Sequence, residues 1–444
     1  MSGLKAAGTS ARVVSGGAVR RVAVLGGAGD MGRVIVRELA ASNRVPELVI
    51  ADRDLEKAQL IATDAGIRSA HALEVDLFDP KRLRDVIRGC TLVVNAAGPY
   101  FRTGPPVLEA CLDEHAGYLD LGDDFEAADL LLASNRTARA AGITALQCAG
   151  LTPGLWNVVV RSLADRLNRV DRIIVAWVTG STPKRPGVER GGRAVIEHML
   201  HEATGITMAF QNRRRRPIPA FRRVETIRFP APLGPTRVYD LGHAELATFP
   251  SSFPELREVR TLGGLVPPVL NGVFQGIGAA VVAGRLGWDE AVDALLALDD
   301  GRSAAPRALR AVLRGVAMQC LRREVSVGGA FGLLRTGGSS STEPAGGLFA
   351  RVEGWRDGQP CALEVVESAG GATAGGAMDD LTGGSAALFV EAYLNGEVKG
   401  PGVVTPEQAV MPEIFLARAC KLLSGIDLKV HEVATGSAWG CSVS

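Results

Sequence analysis

The chain has 444 residues, enough for two or three domains, and is 47% hydrophobic and 22% charged. Forty-nine Lys and Arg against 48 Asp and Glu leave a formal charge of +1. That balance excludes a highly charged disordered chain and a protein held to nucleic acid by general electrostatics.

Residues 1–19 are small and polar with no apolar run, and read as a disordered leader rather than a signal peptide. Over 20–152, short apolar runs alternate with amphipathic ones. The apolar runs are VAVLGG (22–27), ELVIAD (47–52), HALEVD (71–76), TLVVNAAG (91–98), YLDLG (118–122) and ITALQCAG (143–150). Strand–helix alternation rich in Val, Ile and Leu predicts an α/β fold, a Rossmann doubly wound parallel sheet buried on both faces.

After Gly150 the rhythm changes. RIIVAWVTG (172–180) reads as a strand and GRAVIEHMLHEA (192–203) as a helix. QNRRRRPIPAFRRVETIRFPAP (211–232) reads as strands and a turn, and 288–324 as helical. TGGSSSTEPAGG (336–347) reads as an exposed loop, and 348–368 alternates around Asp357-Gly358 as a hairpin. Two helices, 378–395 and 406–424, close the chain. The uncharged run Thr261–Gly284 holds two prolines and six glycines, and reads as a buried helix or subunit interface rather than a membrane span. Residues 153–375 therefore read as an inserted α+β substrate-binding and dimerisation domain, and 376–444 as helices returning to the Rossmann domain.

Gly27-Ala28-Gly29-Asp30-Met31-Gly32 is a GxGxxG between the first strand and the first helix. It predicts a phosphate turn. Gly27 permits the tight turn, Gly29 the approach of a pyrophosphate, and Gly32 close helix–strand packing. Gly26 also allows a GxxGxxG reading. Asp52 ends the second strand 20 residues after Gly32, where a ribose-binding carboxylate belongs. Asp52 favours NAD, whereas Arg53 suits a 2′-phosphate. Ala97, Gly98 and Pro99, at the fourth strand end, let a cofactor lie against the backbone.

Candidates for chemistry follow. Asp123 and Asp124 lie beyond the fifth strand, on the cofactor edge, where Asp123 either caps the next helix or serves the site. His198, His201 and Glu202 share one helix face, lining either a cleft or a surface. Tyr100 is placed to hydrogen-bond near a nicotinamide, and His243 is a weaker candidate. Arg213–Arg216 read first as a solvated hairpin and second as a grip on carboxylates. Seven widely spaced cysteines without a CxxC argue against a disulfide framework and for a cytoplasmic location, and no metal motif occurs. GxSxG and GxxxxGK[ST] are both missing from the sequence.

Taken in order, GGAGDMG, NAAGPY, YLDLGDD (118–124), AGLTPGLWN (149–157), GGRAVIEHMLHEATG, YDLGHAELATFP (239–250) and GVVTPEQ (402–408) resemble the saccharopine dehydrogenase (saccharopine reductase-like) family. The resemblance implies nicotinamide-dependent reduction of C=N, or its reverse, near an amino-acid-like substrate. It also implies a discontinuous Rossmann domain and a homodimer. On that pattern Gly27, Gly29, Met31 and Gly32 form the phosphate turn, and Asp52 and Arg53 the ribose end. Ala97, Gly98 and Pro99 lie by the nicotinamide ribose. Asp120, Gly122 and Asp123 match the fifth strand end, and Pro153 and Gly154 the start of an interdomain helix. NADP is the expected cofactor, with NAD second. Asp123, Tyr100, His198 and Glu202 form the expected catalytic set, acting on a small amine or amino-acid-like molecule, with no nucleic acid, membrane or metal involved. The alternatives are a C=C reductase on the same scaffold, or a dinucleotide-binding sensor without turnover.

Overall fold

The computed structural model describes residues 20–42, 44–66, 70–180, 193–330, 345–370, 378–420, 422 and 428–435. The expected leader, Cys441 and most of the 336–347 loop lie outside these residues.

Six strands come first: β1 (Arg21–Leu25), β2 (Glu47–Asp52), β3 (Ala70–Glu74), β4 (Leu92–Asn95), β5 (Gly117–Asp120) and β6 (Thr144–Leu146). The middle of the chain supplies β7 (Arg169–Gly180), β8 (Ile206–Gln211), β9 (Arg214–Pro219), β10 (Val224–Arg228), β11 (Pro235–Asp240), β12 (Glu258–Val266), β13 (Ala345–Arg356) and β14 (Gln359–Gly370). Two short strands close it, β15 (Gly402–Val404) and β16 (His431–Val433).

The first sheet runs β15-β6-β5-β4-β1-β2-β3, with every pairing parallel. Its first six strands have the 3-2-1-4-5-6 order of a Rossmann fold, whose ligands sit beyond the strand C-termini where the order reverses, between β1 and β4. All of Leu92–Asn95 and Gly117–Asp120 are buried, as strands covered on both faces must be.

The second sheet runs β10-β11-β12-β7-β13-β14-β16, with β8 and β9 added through β12. β12 is parallel to β7, and the remaining pairings are antiparallel. Asp357 and Gly358 join β13 to β14 with both φ angles positive, +52° and +77°, as a two-residue hairpin with right-handed strand twist requires. The arginine-rich stretch forms a second hairpin, turning at Asn212 and Arg213.

The helix Leu155–Ala164 lies between the two layers and is buried except at Arg161 and Ser162. Trp156 donates through Nε1 to Phe349 O at 3.0 Å, and Asn157 donates to Glu407 at 3.0 Å. One helix thus ties β13 to the C-terminal segment. The helix Met378–Leu394 packs on the first helix, Asp30–Ser42.

Three expectations need correction. The closing helix over 406–424 is two short helices, Pro406–Ala409 and Pro412–Ala419, because Pro412 lacks the N–H and the room that a helix interior demands. Residues 376–444 do not all return to the first sheet. β15 does, but β16 pairs with β14 in the second. The uncharged run splits into β12 and the helix Val269–Val282, and among the described residues no helix is long and apolar enough to cross a membrane.

Candidate active site

The phosphate turn is built from main chain. Gly26 N donates to Ala51 O at 2.8 Å, and Gly29 N to Gly26 O at 3.0 Å. The glycine with positive φ is Gly26, at +73°, rather than the expected Gly27. A Cβ on Gly26 would meet Ala97 at 2.9 Å; one on Gly27 would meet Ile50 Cγ2 at 2.7 Å. Gly27 therefore packs the turn onto β2. Gly32 has the expected packing role, since a Cβ there would sit 2.1 Å from Gly26 O. Around Gly29 the nearest such neighbour is Gly26 O at 3.2 Å, which leaves the outer side of the turn open. That open cradle at a helix N-terminus fits a pyrophosphate.

The Asp52 carboxylate is fixed at the end of β2. Oδ2 accepts from Ala28 N at 3.1 Å and Oδ1 from Asp54 N at 3.2 Å. Each oxygen keeps a lone pair for a ribose hydroxyl. Arg53 stands beside it, exposed.

A cavity of about 1430 Å³ runs from this turn into the cleft between the two sheets. Gly26, Ala28, Gly29, Asp30, Met31, Asp52, Arg53, Ala97, Gly98, Pro99, Tyr100, Asp123, His198 and His243 all face it. Gly27, Gly32 and Glu202 are absent from its wall, the first two because they pack the turn and Glu202 because it lies behind the histidines.

The centre of this wall is His198, on the helix Arg193–Ala203. Its Nε2 lies 3.0 Å from Asp123 Oδ2 and 3.3 Å from Glu202 Oε2, and its Nδ1 lies 3.1 Å from Asp124 Oδ1. His243 continues the cluster. Its Nδ1 is bonded to Glu245, and its Nε2 is 3.9 Å from Glu202 Oε1. The main chain holds the two loops together through Ala244 N to Asp123 O, 2.8 Å. Asp123 does not cap the following helix. That helix starts at Phe125 after Asp124, and Asp124 spends its carboxylate on His198 instead.

These contacts set the charges. Burial opposes charge on His198, but Asp123, Glu202 and the bond to Asp124 outweigh it, holding the imidazolium well above its usual range. Burial pushes the Asp123 carboxyl up to about 7, with Asp124 and Glu202 adding to the rise and His198 opposing it. Asp123 keeps 28% side-chain exposure, which opens into the cavity. Burial works against Asp124 too, but the His198 bond leaves it below the usual carboxylate range. Burial also opposes charge on His243, yet Glu245 and Glu202 raise it to about 9. Tyr100 lines the same wall, its phenol pushed up by burial and then by Asp123.

One ligand atom from each of Asp123, His198 and His243 falls within 4.8 Å of the others, so the three can share one cation, a metal ion or a protonated nitrogen. His201 stands apart, stacked on Phe101 at 5.0 Å and paired with Glu126 at 3.6 Å. Asp120 is closed off. It accepts from Tyr118 OH at 2.6 Å, Cys148 N at 2.7 Å and Gly122 N at 3.1 Å. In the arginine run, Arg215 pairs with Asp129 and stacks on Phe125 at 4.9 Å, away from the cavity wall. Sequence reasoning missed Glu245, whose signal is the His-x-Glu spacing at 243–245, and Asp124 as the partner of His198.

A parallel sheet of this order, with a glycine cradle at the reversal point and a carboxylate ending β2, defines a nicotinamide-dinucleotide-binding Rossmann protein. Residues 22–146 match the family described as saccharopine dehydrogenase NADP binding domain. Over these residues the chain is similar to that family. It is 26% identical over 253 residues to carboxynorspermidine synthase of Vibrio cholerae, a match covering 52% of this chain and 60% of that one. It is 28% identical over 122 residues to the human saccharopine dehydrogenase-like oxidoreductase, covering 24% of this chain and 28% of that one. The matches thus span less than two thirds of these relatives' lengths. Among solved structures, saccharopine dehydrogenase (L-Glu forming) of Saccharomyces cerevisiae shares the fold. The TM-score is 0.62 at 17% identity, over 94% of this chain and 100% of that one.

Proposed function

We propose that this protein is an NAD(P)-dependent oxidoreductase that reduces an imine, formed from an amine or amino acid and a carbonyl compound, or runs the oxidative reverse. The observation that carries the reading is the His198 imidazole held between the Asp123, Asp124 and Glu202 carboxylates on the wall of the cavity that also holds the phosphate turn. The relative named as a carboxynorspermidine synthase supports amine chemistry on this scaffold.

The dinucleotide would lie along Gly26–Met31, Asp52, Arg53 and Ala97–Pro99, and when bound it supplies or accepts hydride. The chain's own residues handle the nitrogen. Hydride adds to an imine carbon readily only when the nitrogen carries a proton. His198, charged and facing Asp123 in the cavity wall, supplies that proton, and the Asp123 carboxylate pairs with the resulting iminium. After reduction the amine is neutral, and His198 regains its proton from solvent. Asp124 and Glu202 act as positioning residues that keep the imidazole charged and oriented. Tyr100 stays a neutral phenol and hydrogen-bond donor. In this reading NADP is the cofactor, with Arg53 meeting the 2′-phosphate, and the protein works as a homodimer in the cytoplasm.

The test is NADPH oxidation, followed by absorbance, with amine and carbonyl compounds supplied together. Turnover needing both partners and falling in Asp123→Asn supports the reading. NADPH binding without turnover on any pair would leave a dinucleotide-binding sensor.

A further inference from the structure

Beyond the His198 cluster the cavity continues into a chamber walled by hydrocarbon. Val195, Ile196 and Met199 come from the helix that carries His198. Leu270, Val273 and Phe274 come from the helix Val269–Val282, Leu295 and Leu298 from Trp288–Asp299, and Leu309 and Val312 from Pro306–Leu321. Trp177 and Leu265 of the second sheet join the wall, and Thr179, Asp299 and Ser303 are its polar members. Its described cations are already engaged. Arg193 is held by Glu197 at 2.7 Å, Asp293 at 2.7 Å and Asp289 at 2.5 Å, and Arg302 by Asp300 at 2.8 Å. The cations facing the cavity at the other end, Arg33, Arg53 and Lys57, belong to the phosphate turn and β2 region.

From this we infer that the reducible group is carried on an apolar carbon chain, which lies in the chamber while its nitrogen meets Asp123 and His198. The inference rests on the imine-reduction reading and narrows its substrate class. Three observations carry it. The chamber is continuous with the catalytic wall. About 1430 Å³ exceeds the usual ~300–1,000 Å³ of a one-ligand site, leaving room beside a dinucleotide. And the described substrate-end wall offers a carboxylate ligand no arginine without a carboxylate partner, whereas it offers a cation the Asp123 carboxylate, backed by Asp124, Glu202 and Glu245 behind the histidines. A substrate with one amine nitrogen and a hydrocarbon tail fits both ends, and a dicarboxylate amino acid fits neither.

The experiment is calorimetric titration of the NADPH-loaded protein with butylamine, hexylamine, octylamine, lysine and glutamate. Each methylene buried in the chamber should tighten binding about threefold to fourfold, so octylamine should bind about 100-fold tighter than butylamine, with glutamate weakest. Leu270→Trp, which fills the chamber, and Leu309→Arg, which charges its partly exposed edge, should remove most of that gain while leaving NADPH binding intact. Affinity independent of chain length would overturn the inference. So would a gain that both variants leave untouched, or glutamate binding tighter than octylamine. The two readings fail separately. Variant-sensitive octylamine binding without turnover on any imine keeps the chamber and removes imine reduction. Turnover on short polar imines with flat chain-length dependence does the reverse.

Discussion

The two ends of the cavity are made in opposite ways. The phosphate turn is seven consecutive residues whose work is done by main chain and by the side chains that are not there. The His198 cluster is side chains alone, drawn from the loop after β5, the helix Arg193–Ala203 and the segment after β11. One end binds by leaving a gap of fixed shape. The other stores charge away from water, where each missing partner leaves another group unsatisfied. The turn should therefore tolerate changes of charge and fail on added volume, and the cluster should do the reverse.

Substituting Asp123 by Asn keeps the volume and removes the charge. Turnover should fall by about 10²–10⁴, the usual worth of a positioned acid–base group, with NADPH affinity unchanged. Equal loss of affinity and turnover would show that the two ends are not separable. Gly32→Ala is the converse, because its Cβ would enter the space of Gly26 O. Dinucleotide affinity should drop about 100-fold, the equivalent of about 3 kcal/mol, which is the overpacking range, read by nicotinamide fluorescence. Arg53→Ala tests charge at the turn end. NADPH affinity should weaken about tenfold, in the range of a charge-assisted hydrogen bond, and NADH affinity should hold. A variant that loses both cofactors equally would make Arg53 a general clamp rather than a reader of the 2′-phosphate.

The smallest effect concerns pH. His243 titrates at about 9 and Asp123 at about 7, both above their unfolded values of about 6.5 and 3.8. A group whose folded pKa is raised binds its proton more tightly in the folded state, so its stabilisation is lost as pH rises. The His243 contribution is complete below pH 6.5 and disappears through pH 9. The melting temperature should fall by a few degrees over that window, and His243→Gln should flatten the fall. A melting temperature that rises from pH 6.5 to 9 would contradict the charge assignment.

The turn was legible because its constraint is local. Backbone geometry demands glycine at fixed offsets, and those offsets show in GGAGDMG whatever the rest of the chain does. Even so, which glycine takes the positive φ depended on where Ala97 and Ile50 come to rest, and neither is a neighbour in sequence. The cluster was half legible. His198 and Glu202 advertise a shared face by their i, i+4 spacing, and Asp123 stands at a strand end where ligands collect. What joins them is tertiary. Asp124 carries no sequence signal of its own until His198 arrives 74 residues later, and His243 acquires meaning only from Glu245 and Glu202. The apolar chamber was invisible, since leucines that line a void and leucines that fill a core carry the same helical periodicity.

The strand at Gly402–Val404 pairs with β6, laid down more than 250 residues earlier in the chain, at Thr144–Leu146. On a ribosome, the dinucleotide domain's outermost strand is the last part of its sheet to be made. Until then β6 waits as an open edge, while β7 to β14 of the second sheet are synthesised. The layer begun first therefore stays open while eight strands of the other are made. Gly383 presses against Val34 on the phosphate-binding helix, so the same late segment also seats the element that receives the cofactor. A newly made chain acquires its complete cofactor platform only after the helices that wall its apolar chamber have been synthesised.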